Sequence, residues 1–299
     1  METSAISVVI PAYNHERFVG AAIESVLSQT FQDFDLIVID DGSTDRTADV
    51  VRGFKDRRIQ YHHQENQDAY SAINRGLHLA RGRYVAILNS DDVYAKTRLE
   101  RLVREQQATN AECIFTHVQP IDEDGHEIVG DGHYWHAWHE RNRRFCFECG
   151  DLYAGFLRGN LMVTTSNLFL TARAVKTVGD FAPIRYLHDY DYIFRVMLAF
   201  PGKVHYLHDD KLLFYRIHGG NTLSQGAVVA REQDQQLIRK YMLAGVPEEV
   251  RKRAGTGADR LVELEQELFA VKSALGIHSP RWAARIASEL RKRIRKLTT

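Results

Sequence analysis

Residues 84–94 read YVAILNSDDVY. An apolar run of strand-like residues stops at a polar cluster, Asn89, Ser90, Asp91 and Asp92. The run is too short for a lone helix and reads apolar throughout, as a strand buried on both faces does. Four other runs share its texture: ISVVI (6–10), FDLIVI (34–39), RIQYH (58–62) and AECIFTHV (111–118). Helical patterns alternate with them over 16–28, about 45–54, 69–80 and 95–108. Ser43, Thr44 and Asp45 supply a start signal for the second of these. Such alternation predicts an α/β fold with a mostly parallel central sheet and helices on both faces. Ligands of open α/β sheets bind at the carboxyl ends of the strands. The tips of the first, second and fourth runs carry Tyr13–Asn14, Asp40–Asp41 and Asn89–Asp92, so a parallel sheet gathers three polar clusters on one edge.

Bulk composition narrows the function classes. The 299 residues are 44% apolar and 26% charged, the balance of a soluble globular protein. Lys+Arg and Asp+Glu both total 39, so no global field draws the chain to nucleic acid. Three cysteines do not make a disulfide scaffold. The segment METSAISVVIPAYN has no basic leader and long apolar core, and no apolar run reaches the length of a membrane span. A cytoplasmic setting is the expectation. No GxGxxG follows the first strand, which argues against a dinucleotide-binding dehydrogenase. Residues 1–225 read as one domain and 226–299 as a C-terminal helical region. Within the latter, Leu261, Leu264, Leu268, Val271 and Leu275 form an amphipathic stripe suited to a homodimer contact. The segment 281–299 holds seven basic residues and one acidic. It suits peripheral docking on an anionic membrane surface, the inner face of the cell membrane, with a solvated helix as the plain alternative.

Paired carboxylates at a strand end are costly to crowd unless a cation or hydrogen-bond donors stabilise them. A divalent metal carrying a diphosphate does this, because hard cations take carboxylate and phosphate oxygens together. Helix capping is the plain alternative for Asp91 and Asp92. It is as good as the metal reading for Asp92 and weaker for Asp91.

The motifs SVVIPAYN (7–14), VIDDGSTD (38–45), NRG (74–76) with ARGRYVAILNSDD (80–92), HDYDYIFR (188–195) and YRIHGGNT (215–222) occur in this order. Together they resemble family 2 glycosyltransferases of the GT-A fold over roughly residues 5–225, and in texture bacterial enzymes that build surface polysaccharides. The resemblance implies a Rossmann-like GT-A domain and an inverting, metal-dependent (Mn2+ or Mg2+) transfer. The sugar moves from a nucleotide-diphosphate sugar, UDP by default, to a hydroxyl of a glycan or lipid-linked acceptor. Position by position, Pro11, Ala12, Tyr13 and Asn14 meet the nucleotide, Ala12 and Tyr13 lining the base. Asp40 or Asp41 meets the base edge or ribose, and Asn74, Asn89 and Ser90 complete the nucleotide contacts. Asp91 and His218 hold the metal, and Asp92, Ser166, Asn167 and His188 face the sugars. Most relatives begin the metal motif with Asp where this chain has Asn89, which leaves Asn89 as an uncharged spacer or ribose contact. The general base is Asp189, with Asp191 as the competitor; on a helix the two point in different directions. His188 stands where relatives often carry Glu. Two rivals stay open: a non-catalytic nucleotide-sugar binding protein, and a nucleotidyltransferase of similar fold, although PAYNHERF lacks the Gly-rich basic loop of the latter. Cys146 and Cys149 have the spacing of half a zinc knuckle, and His133, His136 and His139 lie upstream. Packing is the better reading of these, with Trp135 and Trp138 suited to stacking on a sugar.

Overall fold

The computed structural model describes residues 4–130, 134–219 and 236–242. Strand β1, Ile6–Ala12, is buried along its whole length. It pairs in parallel with β2, Phe34–Asp40, in a register that sets Ala12 opposite Asp40. On its other side β4, Tyr84–Ile87, is also parallel, with Val9 opposite Ile87. Beyond β4 the ladder runs one step further, Leu88 N–H donating to the Val9 carbonyl at 2.9 Å. Strand β3, Ile59–His63, continues the parallel set beside β2 and brings His63 opposite Asp40. Residues 13–14, 40–41 and 89–92 therefore leave the sheet on the same edge.

The remaining strands are β5, Val93–Tyr94, β6, Cys113–Ile121, β7, Phe169–Thr171, and β8, Val204–Arg216. Across the eight-stranded sheet the order is β3-β2-β1-β4-β7-β6-β8-β5. Four pairings are parallel, β6 with β8 being the fourth. The β4–β7, β6–β7 and β5–β8 pairings are antiparallel. The fifth apolar run, now β6, thus does not lie beside the fourth: the three-residue β7 is inserted between them.

Helices cover the sheet as the apolar periodicity requires. Between β1 and β2 lies α1, Val19–Leu27, which buries Val19, Ala22, Ile23 and Val26. These side chains share a core with Ile6, Val8, Ile10, Leu36 and Val38. The alternate residues Ile37 and Ile39 face the opposite side and meet Ala72, because successive strand side chains point to opposite faces. Each fully buried aliphatic side chain contributes about 1.5–3 kcal/mol. Ala72 belongs to α3, Ala69–Leu79. Gly76 lets this helix approach β1 closely, since a Cβ there would stand 2.2 Å from Val9 Cγ1. The other helices are α2, Thr47–Gly53, α4, Arg98–Thr109, α5, Tyr134–Cys149, α6, Leu152–Arg158, α7, Ala172–Val178, and α8, His188–Ala199.

The chain divides into two units, Met1–Asp234 and Gln235–Thr299. Within the second, residues 236–242 are helical. The expected boundary at 225/226, the 261–275 stripe and the basic 281–299 segment lie outside the described residues. Among the described residues no helix is long and apolar enough to cross a membrane.

Candidate active site

The β1 and β2 tips are stitched to each other by side chains. Asn14 takes the left-handed region at φ 50°, which asparagine tolerates better than most residues. Its N–H donates to Ser43 Oγ at 3.0 Å, and its Oδ1 accepts the Thr44 N–H at 2.8 Å. His15 N–H donates to Thr47 Oγ1 at 2.9 Å. Gly42, at φ 77°, closes the turn where a Cβ would lie 2.8 Å from the Asn66 nitrogen. Pro11 and Ala12 are buried inside β1, and Tyr13 is exposed at its tip.

Asp40 is fully buried and accepts from Tyr61 Oη at 2.6 Å, Ser43 N–H at 3.0 Å and His63 Nδ1 at 3.3 Å. Burial alone would push its carboxyl up, but these donors together hold it below the usual carboxylate range. Asp41 accepts from Gln64 Nε2 at 2.7 Å and Gln67 N–H at 3.0 Å. There burial wins and the carboxyl lies above its ordinary value. Asn74 does not reach this cluster with a free amide. Its Oδ1 accepts from Phe181 N–H at 2.7 Å and its Nδ2 donates to the Phe181 carbonyl at 3.0 Å, so the side chain locks α3 to the segment before α8.

After β4 the chain turns tightly, Asp92 N–H donating to the Asn89 carbonyl at 3.1 Å. The turn splits the two carboxylates. Asp91 Oδ2 stands 3.1 Å from His218 Nε2. His15 joins them, and His15, Asp91 and His218 each offer a ligand atom within 4.8 Å of the others. His15 Nδ1 also lies 2.8 Å from Ser90 Oγ. Burial lowers the His15 pKa against the pull of the Asp91 charge, so the imidazole is neutral near pH 7 and keeps a lone pair. Burial pushes the Asp91 carboxyl up, but His218 and His15 more than offset it and hold the carboxyl below its ordinary value. Asp92 behaves oppositely. Burial first, then the neighbouring Asp91 charge, raise it well above the usual range. It accepts from Ser166 Oγ at 2.5 Å, Arg216 N–H at 3.0 Å and Thr164 Oγ1 at 3.3 Å. Asn89 bonds to the 164–167 turn, its Nδ2 donating to Thr164 Oγ1 at 3.0 Å and its N–H to Ser166 Oγ at 2.9 Å.

The 164–167 turn connects these carboxylates to α8. Thr164 and Ser166 reach Asp92, and Thr165 Oγ1 lies 3.2 Å from His188 Nε2. Asn167 points elsewhere: its Nδ2 donates to the Thr116 carbonyl at 2.8 Å and its Oδ1 accepts the Thr116 N–H at 3.0 Å. It therefore braces β6 instead of presenting a free amide. At the start of α8, Asp189 Oδ2 accepts from Asn160 Nδ2 at 3.1 Å. Burial raises the Asp189 pKa, opposed by His188 and Asn160. Asp191 sits two residues on in an ion pair with Arg195 Nε at 2.8 Å, an i,i+4 contact along the helix. Asp189 thus meets Asn160, while Asp191 pairs with Arg195 along its own helix.

The sequence alone does not mark His15, Asn160 or Arg216, whereas Thr164 and Thr165 fall in the stretch TTSN (164–167), which the resemblance places at the acceptor pocket. Arg216 donates from Nε to the Asp91 carbonyl at 2.8 Å and from Nη1 to the carbonyls of Asp122 and Glu123. Its place two residues before His218 was the available signal. Cys146 and Cys149 lie in α5, and among the described residues no metal-ligating group includes them.

The mostly parallel sheet, with its acidic edge and the inserted antiparallel β7, defines the GT-A glycosyltransferase class. TarS of S. aureus, residues 1–349 in complex with UDP-GlcNAc, superposes with a TM-score of 0.62 at 18% identity, over 83% of this chain and 69% of that one. The mannosyltransferase PcManGT from Pyrobaculum calidifontis, in complex with GDP-Man and Mn2+, gives 0.59 at 14% identity over 98% of this chain and 81% of that one. Residues 7–161 match the model of Glycosyl transferase family 2, and the chain belongs to that family. An uncharacterized glycosyltransferase of Nostoc sp. is 30% identical over 232 residues, 77% of this chain and 70% of that protein. Chondroitin synthase of Escherichia coli is 27% identical over 242 residues, 79% of this chain but 32% of the synthase. The chain is thus a transferase enzyme that acts in glycosyl transfer.

Proposed function

We propose that the chain is an inverting, metal-dependent glycosyltransferase. It moves a sugar from a nucleotide-diphosphate sugar, UDP by default, to a hydroxyl of a glycan or lipid-linked acceptor in the making of a bacterial envelope polysaccharide. The observation that carries this reading is the His15–Asp91–His218 group at the carboxyl edge of β4, coupled through the 164–167 turn to His188 and Asp189. Two imidazoles and one carboxylate held below its usual pKa are a donor set that fits Mn2+, and also Mg2+ with more water in its shell. A bound divalent ion neutralises the charge that develops on a leaving nucleoside diphosphate. The second imidazole supplies the ligand atom that Asn89, bonded to Thr164, does not offer.

The chain's own groups do the rest. Tyr13, Asn14 and the Asp40–Asp41 edge receive the base and ribose. Asp189 takes the proton from the acceptor hydroxyl as it attacks the anomeric carbon from the face opposite the diphosphate, which inverts that centre. Its raised pKa makes it a stronger base than an exposed aspartate. Asp191, paired with Arg195, keeps α8 in place. The basic segment 281–299 holds the enzyme on the inner face of the cell membrane, near a lipid-linked acceptor, and the 261–275 stripe pairs two copies.

A transfer and hydrolysis assay with UDP, GDP and dTDP sugars and Mn2+ tests the reading. Asp91→Ala and Asp189→Ala should each abolish turnover, and only the first should strongly weaken donor binding. Full transfer by Asp189→Ala would remove it as base. Donor binding without turnover by the wild-type chain would favour a non-catalytic sugar-nucleotide binder, the reading that the neutral Asn89 supports.

A further inference from the structure

Arg98 opens α4 and is fully buried. Its Nη1 donates to Thr116 Oγ1 at 2.9 Å, and its Nη2 donates to the Asn167 carbonyl at 3.0 Å and Asn167 Oδ1 at 3.1 Å. A longer approach, 3.5 Å, reaches the Ser166 carbonyl. The guanidinium carbon stands 4.7 Å from the centre of the Tyr94 ring. Among the described residues it makes no ion pair with a carboxylate. A buried charge met only by carbonyls, hydroxyls and a ring face is an expensive way to fill a core, and an apolar side chain of similar volume often serves stability better. The arginine therefore needs a reason outside packing.

Its partners supply one. Two of them, Ser166 and Asn167, belong to the turn whose side chains touch both halves of the site, Thr164 and Ser166 on Asp92 and Thr165 on His188. Val163, the residue just before the turn, has φ 74°. A β-branched residue in the left-handed region costs about 1–3 kcal/mol and persists only where its surroundings impose it. The planar fork of Arg98 spans Thr116 from Nη1 and Asn167 from Nη2 at once, a geometry that lysine cannot copy.

We infer that Arg98 is a positioning residue for the transfer step: it holds the 164–167 turn against β6 and so sets the placement of Asp189 relative to Asp91 and Asp92. The inference rests on the transferase reading above. It is tested with full-length Arg98→Lys, Arg98→Met and Thr165→Val. Calorimetry with UDP and Mn2+ counts nucleotide-binding sites, and kcat is expressed per site. Both Arg98 variants should keep the UDP Kd within about threefold while kcat per site falls about 10- to 100-fold, as when a supporting partner of a reacting group is lost. Lysine should recover part of the loss relative to methionine. Thr165→Val, which leaves the Arg98 contacts intact, should also lower kcat and spare the Kd. Wild-type kcat per site in the Arg98 variants would overturn the inference, as would a loss explained wholly by fewer folded sites. If neither Arg98 variant folds, Thr165→Val decides: undiminished kcat contradicts the bridge. An inactive wild-type chain would instead sink the transferase reading.

Discussion

His218 Nε2 and Asp91 Oδ2 lie 3.1 Å apart although 127 residues separate them in sequence. The contact brings the segment after β8 over the β4 tip, and His15 from the β1 tip completes the group. Removing one imidazole removes one of three ligand atoms. His15→Gln and His218→Gln should each weaken Mn2+ binding in the presence of UDP by at least about tenfold, read by calorimetry. Unchanged affinity in His15→Gln would exclude His15 from the metal's shell.

Asn89 tests the charge balance of the same turn. Its Nδ2 donates to Thr164 Oγ1, which in turn lies 3.3 Å from Asp92 Oδ2. Asn89→Asp replaces that donor with an acceptor and brings a third carboxylate to the Asp91–Asp92 turn. Metal-free protein should lose about 1–3 kcal/mol of stability in urea unfolding, the cost of an unmet polar group and like charge. Added Mn2+ should return part of it.

Gly76 is demanded by packing. Its missing side chain is what lets α3 lie on β1, 2.2 Å being the distance a Cβ would have to Val9 Cγ1. Gly76→Ala should destabilise by about 1–3 kcal/mol or more, measured by thermal or urea unfolding. Val9→Ala in the same chain should recover part of that loss, whereas a purely local helix effect would not depend on residue 9.

Two stacked histidines predict an acid-sensitive interior. The rings of His117, in β6, and His139, in α5, lie 5.3 Å apart. Burial first, then nearby Arg143 for His117 and His117 itself for His139, lower both from an ordinary 6.5 to about 3. The unfolded chain takes up protons near pH 6.5 while the folded chain does not. Their stabilising contribution is therefore complete above pH 6.5 and declines as pH falls toward 3. Tm should be flat from pH 8 to 7 and fall between 6.5 and 4.5. His139→Phe should make that fall shallower, and an identical slope would contradict the assignment.

Much of this architecture was readable because parallel strands write their burial into runs such as ISVVI and YVAIL, and because β1, β2 and β4 end on the same edge. The polar tips at 13–14, 40–41 and 89–92 could be grouped from that alone. The short strand β7 could not: three residues carry no period, and its place between β4 and β6 is set by pairing, not by local preference. The partner of Asn74, the Phe181 backbone, was not legible because it lies 107 residues away. Asn167 likewise serves Thr116, 51 residues away. Nothing in the sequence marks His15, since a single histidine after PAYN has no spacing to set it apart. The Asp191–Arg195 pair, four residues apart on one helix, was legible in principle and separates Asp191 from Asp189.

The central claim is that a divalent ion sits on Asp91 with the diphosphate of the donor. Mn2+ electron paramagnetic resonance, titrating the ion into protein with UDP, tests it most directly. Asp91→Asn should abolish the UDP-dependent bound signal, whereas Asp189→Asn should leave it as in the wild type. A wild-type bound signal in Asp91→Asn, or its loss in Asp189→Asn alone, would contradict the account.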